Sequence, residues 1–341
     1  MAEANLNARV LVTGAAGFIG SHLCALLRER MPQVRILALV RPGRASGHIQ
    51  VEGLDVVECD LLDPRGLDVI LEGVDTVFHL AGVTMARDAA GYERGNVNVT
   101  AGLVQAVNRA KVRRFIFVSS QAAGGPNSEA PGLTGREVAR PVSWYGKSKL
   151  QAELELCALT AHWTVLRPPM VYGPRDTGFL PLFRAARLGV VPLPDGGRAP
   201  MSIVHVADVC ALALAAAEGG QPSGQVYYPS DGVTRTWGEI CRAVAAAAGG
   251  RTLGLPFPAL VIWPVAMVNG LWARLGGKPQ YLNPDKFREA VQSGWLCTGL
   301  AAERELGWQA RVELSVGLEE TARWYRLNGW LGPALPCWPW R

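Results

Sequence analysis

Tyr145 and Lys149 stand four residues apart in SWYGKSKLQAEL, at the start of a stretch that reads as a helix, Lys147 to Leu159. Both side chains then project from one helical face. A free phenol titrates at about 10, too high for acid/base work near neutrality, and a neighbouring ammonium favours the phenolate. Lowering it by about 3 units takes roughly 4 kcal/mol, which needs the lysine and the positive ring of an oxidised nicotinamide acting together. Ser120 closes the apolar run RFIFVSS, placed to hold a substrate oxygen while Tyr145 passes the proton; Ser119 is the alternative. The chemistry in view is proton transfer at an oxygen, coupled to a hydride carrier.

Such a carrier needs a phosphate cradle, and the elements around RVLVT (9–13) provide the pattern for one. Thr13-Gly14-Ala15-Ala16-Gly17-Phe18-Ile19-Gly20 joins that apolar run to SHLCALLRER, which has helical spacing. Gly14 allows the sharp turn, Gly17 lets the backbone approach a pyrophosphate, and Gly20 lets helix and strand pack closely; Phe18 and Ile19 open the helix. Further apolar runs follow at 35–40, 53–60, 75–82, 114–120 and 163–169, with a helical segment at 96–111. Strands rich in Val, Ile, Leu and Phe that alternate with helices predict a parallel sheet covered on both faces. Residues 1–174 are expected to form the dinucleotide-binding domain. Past Pro174 proline and glycine become frequent, so 175–341 is read mainly as a smaller substrate lobe, with a return to the sheet near 203–230.

The second strand ends in Val40-Arg41-Pro42, with Arg44 nearby, where an enzyme selective for NAD usually has an acid. Arg41 there is able to fork onto a 2′-phosphate, so NADP is preferred over NAD. Asp60-Leu61 is placed to meet the adenine edge, and Ala81-Gly82 offers close backbone approach beside the cofactor.

The composition excludes several classes. The 341 residues are 49% hydrophobic and 18% charged, enough for a large folded core. The net charge of +5 is spread without a Lys/Arg run, and no nucleic-acid motif occurs, so the partner is a small molecule. Seven cysteines form no C-x-x-C pair or metal-ligand cluster; no metal site is expected and a reduced compartment fits. The N-terminal stretch lacks a basic region followed by an apolar run, so a cytoplasmic protein is expected.

TGAAGFIG, HLAG, NVNVT, FVSS, YGKSK, LRPPMVYGPR and VHVADV, in this order, resemble the extended short-chain dehydrogenase/reductase family, as does the closing ERELGWQARVELSVGLEETARWYRLNGWL. The resemblance implies an α/β Rossmann fold, a doubly wound seven-stranded parallel sheet with a smaller C-terminal substrate lobe. It implies Tyr145 as general acid/base, Lys149 on the nicotinamide ribose, Ser120 orienting substrate and Asn96 holding the central helix and its water. Pro168 and Val171 match the turn that passes the nicotinamide carboxamide, His205 and Asp208 a mainly structural stretch. A homodimer through helices 96–111 and 147–161 is usual in the family.

The family's sugar dehydratases carry an Asp-Glu pair after the hydroxyl residue, where this chain has Gln121 and Ala122, so elimination lacks its second acid/base group. Its nucleotide-sugar epimerases tend to carry an arginine where Met201 stands, although Arg198 lies nearby. The Val-Arg ending of the second strand resembles the dihydroflavonol-reductase and 3β-hydroxysteroid-dehydrogenase branches. The reading is therefore an NADP(H)-dependent oxidoreductase acting on an alcohol or ketone with a bulky apolar, sterol- or terpenoid-like body. An NAD-dependent nucleotide-sugar epimerase is the alternative, and a non-catalytic cofactor sensor the second. From Thr252 to Ala273 the chain carries no charge, and Pro256, Pro258 and Pro264 argue against a continuous membrane-spanning helix. That segment is left as a lid over the pocket, a peripheral membrane contact or ordinary core, and the tail LPCWPWR as a possible extension of it.

Overall fold

Alternation within the apolar runs decides how the sheet is covered. Val10 and Val12 point to one face and Leu11 to the other; Ile36, Ala38 and Val40 oppose Leu37 and Leu39 in the same way. With apolar side chains on both faces, these strands are stable only between two helical layers. The computed structural model, which describes residues 9–43, 53–250, 252–278, 280 and 282–332, has that arrangement.

Seven parallel strands form the sheet: β1 (Arg9–Thr13), β2 (Arg35–Val40), β3 (Leu54–Glu58), β4 (Val74–His79), β5 (Arg114–Val118), β6 (His162–Leu166) and β7 (Gln225–Tyr227). Their order is β7-β6-β5-β4-β1-β2-β3, a doubly wound Rossmann sheet. Strands β3 to β6 are shorter than the runs at 53–60, 75–82, 114–120 and 163–169 suggested, because the last residues of each run turn out of the ladder to build the loops of the carboxyl edge. The order reverses between β1 and β4, and a crevice at such a switch point is where open α/β sheets bind ligands.

Helices α1 (Phe18–Arg30), α2 (Val99–Ala110), α3 (Trp144–Glu155), α4 (Val206–Glu218), α5 (Trp237–Ala248), α6 (Ile262–Arg274), α7 (Pro284–Ala290) and α8 (Leu314–Leu327) follow. α1 and α4 cover one face of the sheet through Leu23, Leu27, Cys210 and Ala213; α2 and α3 cover the other through Leu103, Val107 and Ala152. A third core, away from the sheet, joins Phe183, Ile240, Val244, Leu318 and Tyr325.

α3 begins at Trp144 rather than Lys147, because the Ser143 hydroxyl accepts the Gly146 N–H and caps it three residues earlier than the apolar spacing suggests. The turn before α2, Glu93–Asn98, is wider than an α-helix. Within 252–273, Leu253–Phe257 is a strand paired with Val190–Pro194, and α6 follows. Pro264 sits in the first turn of α6, where its missing N–H has no helical partner to lose, so it does not break the helix. No helix among the described residues is long and apolar enough to cross a membrane.

Candidate active site

At the end of β1, Gly14 has φ +71°, and a Cβ there would lie 2.7 Å from the Ala81 nitrogen. A Cβ on Gly20 would meet the Gly14 carbonyl at 2.2 Å, so only glycine lets α1 start this close to the turn. Gly17 is exposed and caps α1 with no side chain bonded to the helix's first N–H groups. Phe18 and Ile19, half-buried, open the helix. Bare helix donors beside a glycine turn at the switch point fit a dinucleotide pyrophosphate.

A chain of hydrogen bonds ties this loop to the next one. The Ala81 N–H donates to Thr13 Oγ1 (3.2 Å), Thr13 Oγ1 lies 2.7 Å from His79 Nδ1, His79 Nε2 is 3.0 Å from Thr100 Oγ1, and Thr100 donates to the Asn96 carbonyl at 2.7 Å. Each donor has one acceptor only if His79 is neutral with its proton on Nε2. Burial, followed by the charge of Lys149, pushes His79 down to about 3, consistent with that form.

Asn96 works from the far end of the chain. Its Oδ1 accepts the Val83 N–H (2.8 Å), and its Nδ2 donates to the Val83 carbonyl (3.1 Å) and to Ser148 Oγ (2.9 Å). It thereby fixes the loop after β4 to α3. A Cβ on Gly82 would stand 2.8 Å from Asn96 Oδ1 and 3.9 Å from Lys149 Nζ, which brings Ala81-Gly82, Asn96 and Lys149 to one place.

Lys149 is 5% exposed. Its ammonium donates to the Val118 carbonyl at 2.9 Å and lies 4.3 Å above the Phe117 ring. Burial lowers it from 10.5 to about 8, with Glu153 opposing. Tyr145, one turn earlier, is half-buried, with the Tyr92 ring 6.1 Å away. Ser120 caps the short helix Gln121–Gly124, its Oγ accepting the Ala122 N–H at 3.2 Å. A Cβ on Gly146 would lie 2.3 Å from the Ala122 carbonyl, so this turn rests directly on the start of α3. Ser119 is engaged elsewhere: its hydroxyl donates to Glu153 Oε1. Gln121 is 4% exposed, its N–H donates to the Pro168 carbonyl (2.8 Å), and its Nε2 has no hydrogen-bond partner. Val171 is half-buried in a short strand paired with Ile203–His205.

Other positions fall at the margin. Arg41 is exposed just past β2, and Arg44 lies outside the described residues, as does the tail LPCWPWR. Asp60 is exposed and its carboxylate accepts the Leu62 N–H, closing its own turn, while Leu61 is buried. Met201 pairs across strands with Arg235, whose guanidinium is held by Asp231 at 2.5 Å. Arg198 lines a separate cavity with Val191, Leu193, Thr236 and Arg242. His205 Nδ1 accepts the Ala207 N–H, and Asp208 accepts the Arg311 and Val312 N–H groups, tying the C-terminal segment to the sheet. No group of acids, histidines and cysteines that could hold a metal occurs among the described residues.

Two polar groups escaped the sequence reading. Glu153 pairs with Arg167 at 2.6 Å, both nearly fully buried; its position four residues past Lys149, on the same face, was the only sequence signal. Asp285 accepts the N–H groups of Trp144 (2.6 Å) and Tyr145 (3.1 Å) from about 140 residues downstream, and no local pattern announces it.

A glycine turn at the switch point of a parallel sheet, joined through Ala81-Gly82 to the helix that carries Tyr145 and Lys149 one turn apart, is the arrangement of an NAD(P)-dependent oxidoreductase of the extended short-chain dehydrogenase/reductase type. The chain belongs to the NAD dependent epimerase/dehydratase family, whose model matches residues 10–228. It is 33% identical over 329 residues to ceramide reductase of Caulobacter vibrioides (strain NA1000 / CB15N), covering 94% of this chain and 96% of that one. It is also 33% identical over 337 residues to 4-hydroxy-2-methyl-3-oxo-4-farnesyl-3,4-dihydroquinoline-1-oxide ketoreductase of Stigmatella aurantiaca, covering 91% and 95%. Among solved structures, MoeE5 in complex with UDP-glucuronic acid and NAD superposes with a TM-score of 0.72 at 27% identity, over 94% of this chain and 99% of that one. Family and relatives favour an enzyme over the cofactor-sensing alternative.

Proposed function

We propose that the protein is an NADP(H)-dependent reductase that interconverts a ketone and an alcohol on a bulky apolar body. One observation carries the substrate class. Of the 23 large apolar side chains exposed among the described residues, 11 lie within Leu253–Leu275, among them Trp263, Val268, Leu271 and Trp272. Only Ala266 and Ala273 of α6 are buried, so this helix is not ordinary core. Its inner side rests on α7, with the Trp263 and Phe287 rings 5.2 Å apart, and α7 carries the Asp285 that caps the helix of Tyr145. A fully buried side chain of this kind contributes about 1.5–3 kcal/mol, so a surface of this extent calls for an apolar partner.

The two curated relatives are named for reduction of lipid-like substrates, in keeping with this reading. From Thr252 to Pro284 there is no acidic residue, and Arg274 and Lys278 are the only charges. That composition suits peripheral contact of a cytoplasmic protein with an anionic membrane surface. Exposed Leu154 on α3 suits a homodimer through α2 and α3.

In the proposed mechanism Gly14, Gly17, Phe18, Ile19 and Gly20 hold the pyrophosphate, Arg41 the 2′-phosphate, and Asp60 and Leu61 the adenine edge. Ala81, Gly82, Pro168 and Val171 line the nicotinamide side. The dinucleotide, when bound, supplies or accepts the hydride. Ser120 orients the substrate oxygen, Tyr145 Oη passes it the proton, and Lys149 stabilises the phenolate left behind and binds the ribose. Asn96 keeps α3 in register with the loop after β4. The likeness to MoeE5, whose structure is in complex with UDP-glucuronic acid and NAD, favours a nucleotide-sugar substrate instead, but Met201 stands where the family's nucleotide-sugar epimerases tend to carry an arginine.

The test is a panel of steroid and long-chain ketones with NADPH and NADH, run on wild type, Tyr145→Phe and Arg41→Asp, with and without anionic vesicles. The expected result is turnover of apolar ketones, lost in Tyr145→Phe with cofactor affinity kept, and an NADPH preference that falls in Arg41→Asp. Flotation with the vesicles is expected to weaken when Trp263 and Leu271 become serine. Tight UDP-sugar binding with no apolar ketone reduced would overturn the reading in favour of the epimerase.

A further inference from the structure

Tyr145 is approached from two directions. From its own helix comes Lys149. From the C-terminal part of the chain comes α7, whose Lys286 ammonium lies 4.6 Å from the centroid of the Tyr145 ring. Lys286 is held there: its Nζ is 2.7 Å from Glu289 Oε2, and the pair is 17% and 15% exposed. Glu289 is fixed in turn by Ser143, whose hydroxyl donates to Glu289 Oε1 at 2.5 Å. Asp285 binds the Trp144 and Tyr145 N–H groups, and the Arg288 guanidinium stands 4.9 Å over the Trp144 ring. Asn283 caps α7 through the Asp285 and Lys286 N–H groups. Contacts from Asp285, Lys286, Arg288 and Glu289 thus put α7 in one register on the first turn of α3.

We propose that Lys286 is a positioning residue for Tyr145, a second cation that favours the phenolate from the face of the ring while Lys149 acts from the next turn of α3. The proposal rests on the reading of Tyr145 as the proton donor. A cation over an aromatic face is attracted by the ring's negative quadrupole, and the attraction grows when the ring itself becomes anionic. An opposite charge within about 4–6 Å favours the charged form of a titrating group by about 1–3 units. The other groups around Tyr145 modulate this without replacing it. Tyr92 faces it from the Ala89–Tyr92 turn and is pushed up to about 12 by burial, with Asp285 adding to the effect, so it stays neutral. Asp285 is spent on backbone N–H groups, and Glu289 is the negative partner that tempers Lys286.

That arrangement gives two substitutions of opposite sign. Lys286→Met removes the cation and raises the pH at which Tyr145 ionises, by roughly one unit. Glu289→Gln removes the tempering charge and lowers it, whereas Lys286→Arg stays near wild type. The measurement is the phenolate absorbance of each protein titrated against pH, taken as the difference from the same protein carrying Tyr145→Phe, alongside the pH profile of kcat/KM on the ketone panel and a melting curve to confirm folding. Because the absorbance titration needs no substrate, it decides the role of Lys286 even if no ketone is reduced. Superposable Lys286→Met and wild-type titrations, or shifts of the same sign in Lys286→Met and Glu289→Gln, would overturn the proposal; opposite shifts with cofactor affinity unchanged support it.

Discussion

Lys149 and Glu153 stand one turn apart on α3, at 5% and 7% exposure, and the protein treats the two charges in contrary ways. Glu153 is saturated. It receives two guanidinium nitrogens of Arg167, at 2.6 Å from Nη2 and 3.0 Å from Nε, and the Ser119 hydroxyl, while Arg167 Nη1 donates to Tyr228 Oη at 3.0 Å. Among the described residues no carboxylate forms an ion pair with Lys149; its ammonium has the Val118 carbonyl and the face of Phe117. Burial without a full counter-charge is unfavourable for an ammonium, which is why it is lowered to about 8. The difference teaches which buried charge is architecture and which keeps capacity for a further partner: a closed ion cluster ties the ends of β5 and β6 to α3, whereas Lys149 is the under-satisfied charge, which the proposed function assigns to a ribose.

Breaking the closed cluster is expected to have the largest effect. Glu153→Ala leaves Arg167 buried and unpaired, a loss of about 3–5 kcal/mol in urea denaturation. If stability held and only turnover fell, Glu153 would belong with the reacting groups and the contrast would collapse.

Lys149→Met is expected to do the reverse, lowering kcat/KM by about 100-fold or more while the melting temperature at pH 7 holds or rises. The sign follows from linkage. Lys149 falls from 10.5 to about 8 on folding, so the unfolded chain binds this proton more tightly and folding with the charged form is penalised below pH 8. Wild-type stability relative to Lys149→Met should therefore be flat below about pH 8 and rise between 8 and 10.5. A difference that falls over that window would mean the ammonium is better satisfied in the fold than its contacts indicate.

The smallest effect sharpens the comparison at its edge. Ser119→Ala removes a hydrogen bond to a charged acceptor, about 1.5–3 kcal/mol of stability, with turnover nearly intact. Ser120→Ala is expected to lose turnover with stability nearly intact, because its Oγ holds only a local turn. Equal effects of the two on turnover would return Ser119 to the list of substrate-orienting groups.

The features legible in the sequence are local. The glycine turn, the two-residue alternation of β1 and β2 and the four-residue spacing of Tyr145 and Lys149 are set by backbone geometry within a few residues, so type and spacing suffice. Edges of elements were less legible: α3 starts at Trp144 because Ser143 caps it, a competition between neighbours that apolar spacing does not record. The choice between Ser119 and Ser120 was open, since adjacent residues at a strand end face different ways and only the position of Glu153 tells which is occupied.

The sequence by itself determined the parallel sheet, the glycine turn after β1 and the placing of Tyr145 and Lys149 one turn apart on α3. Tertiary structure alone decided that α6 keeps its large apolar side chains outside, that Arg167 closes on Glu153, and that Asp285 and Lys286 reach Tyr145 across about 140 residues. The reason is physical: periodicity is written in neighbours along the chain, whereas the partner of a buried charge or an exposed apolar face is chosen by packing between segments whose separation in sequence carries no pattern.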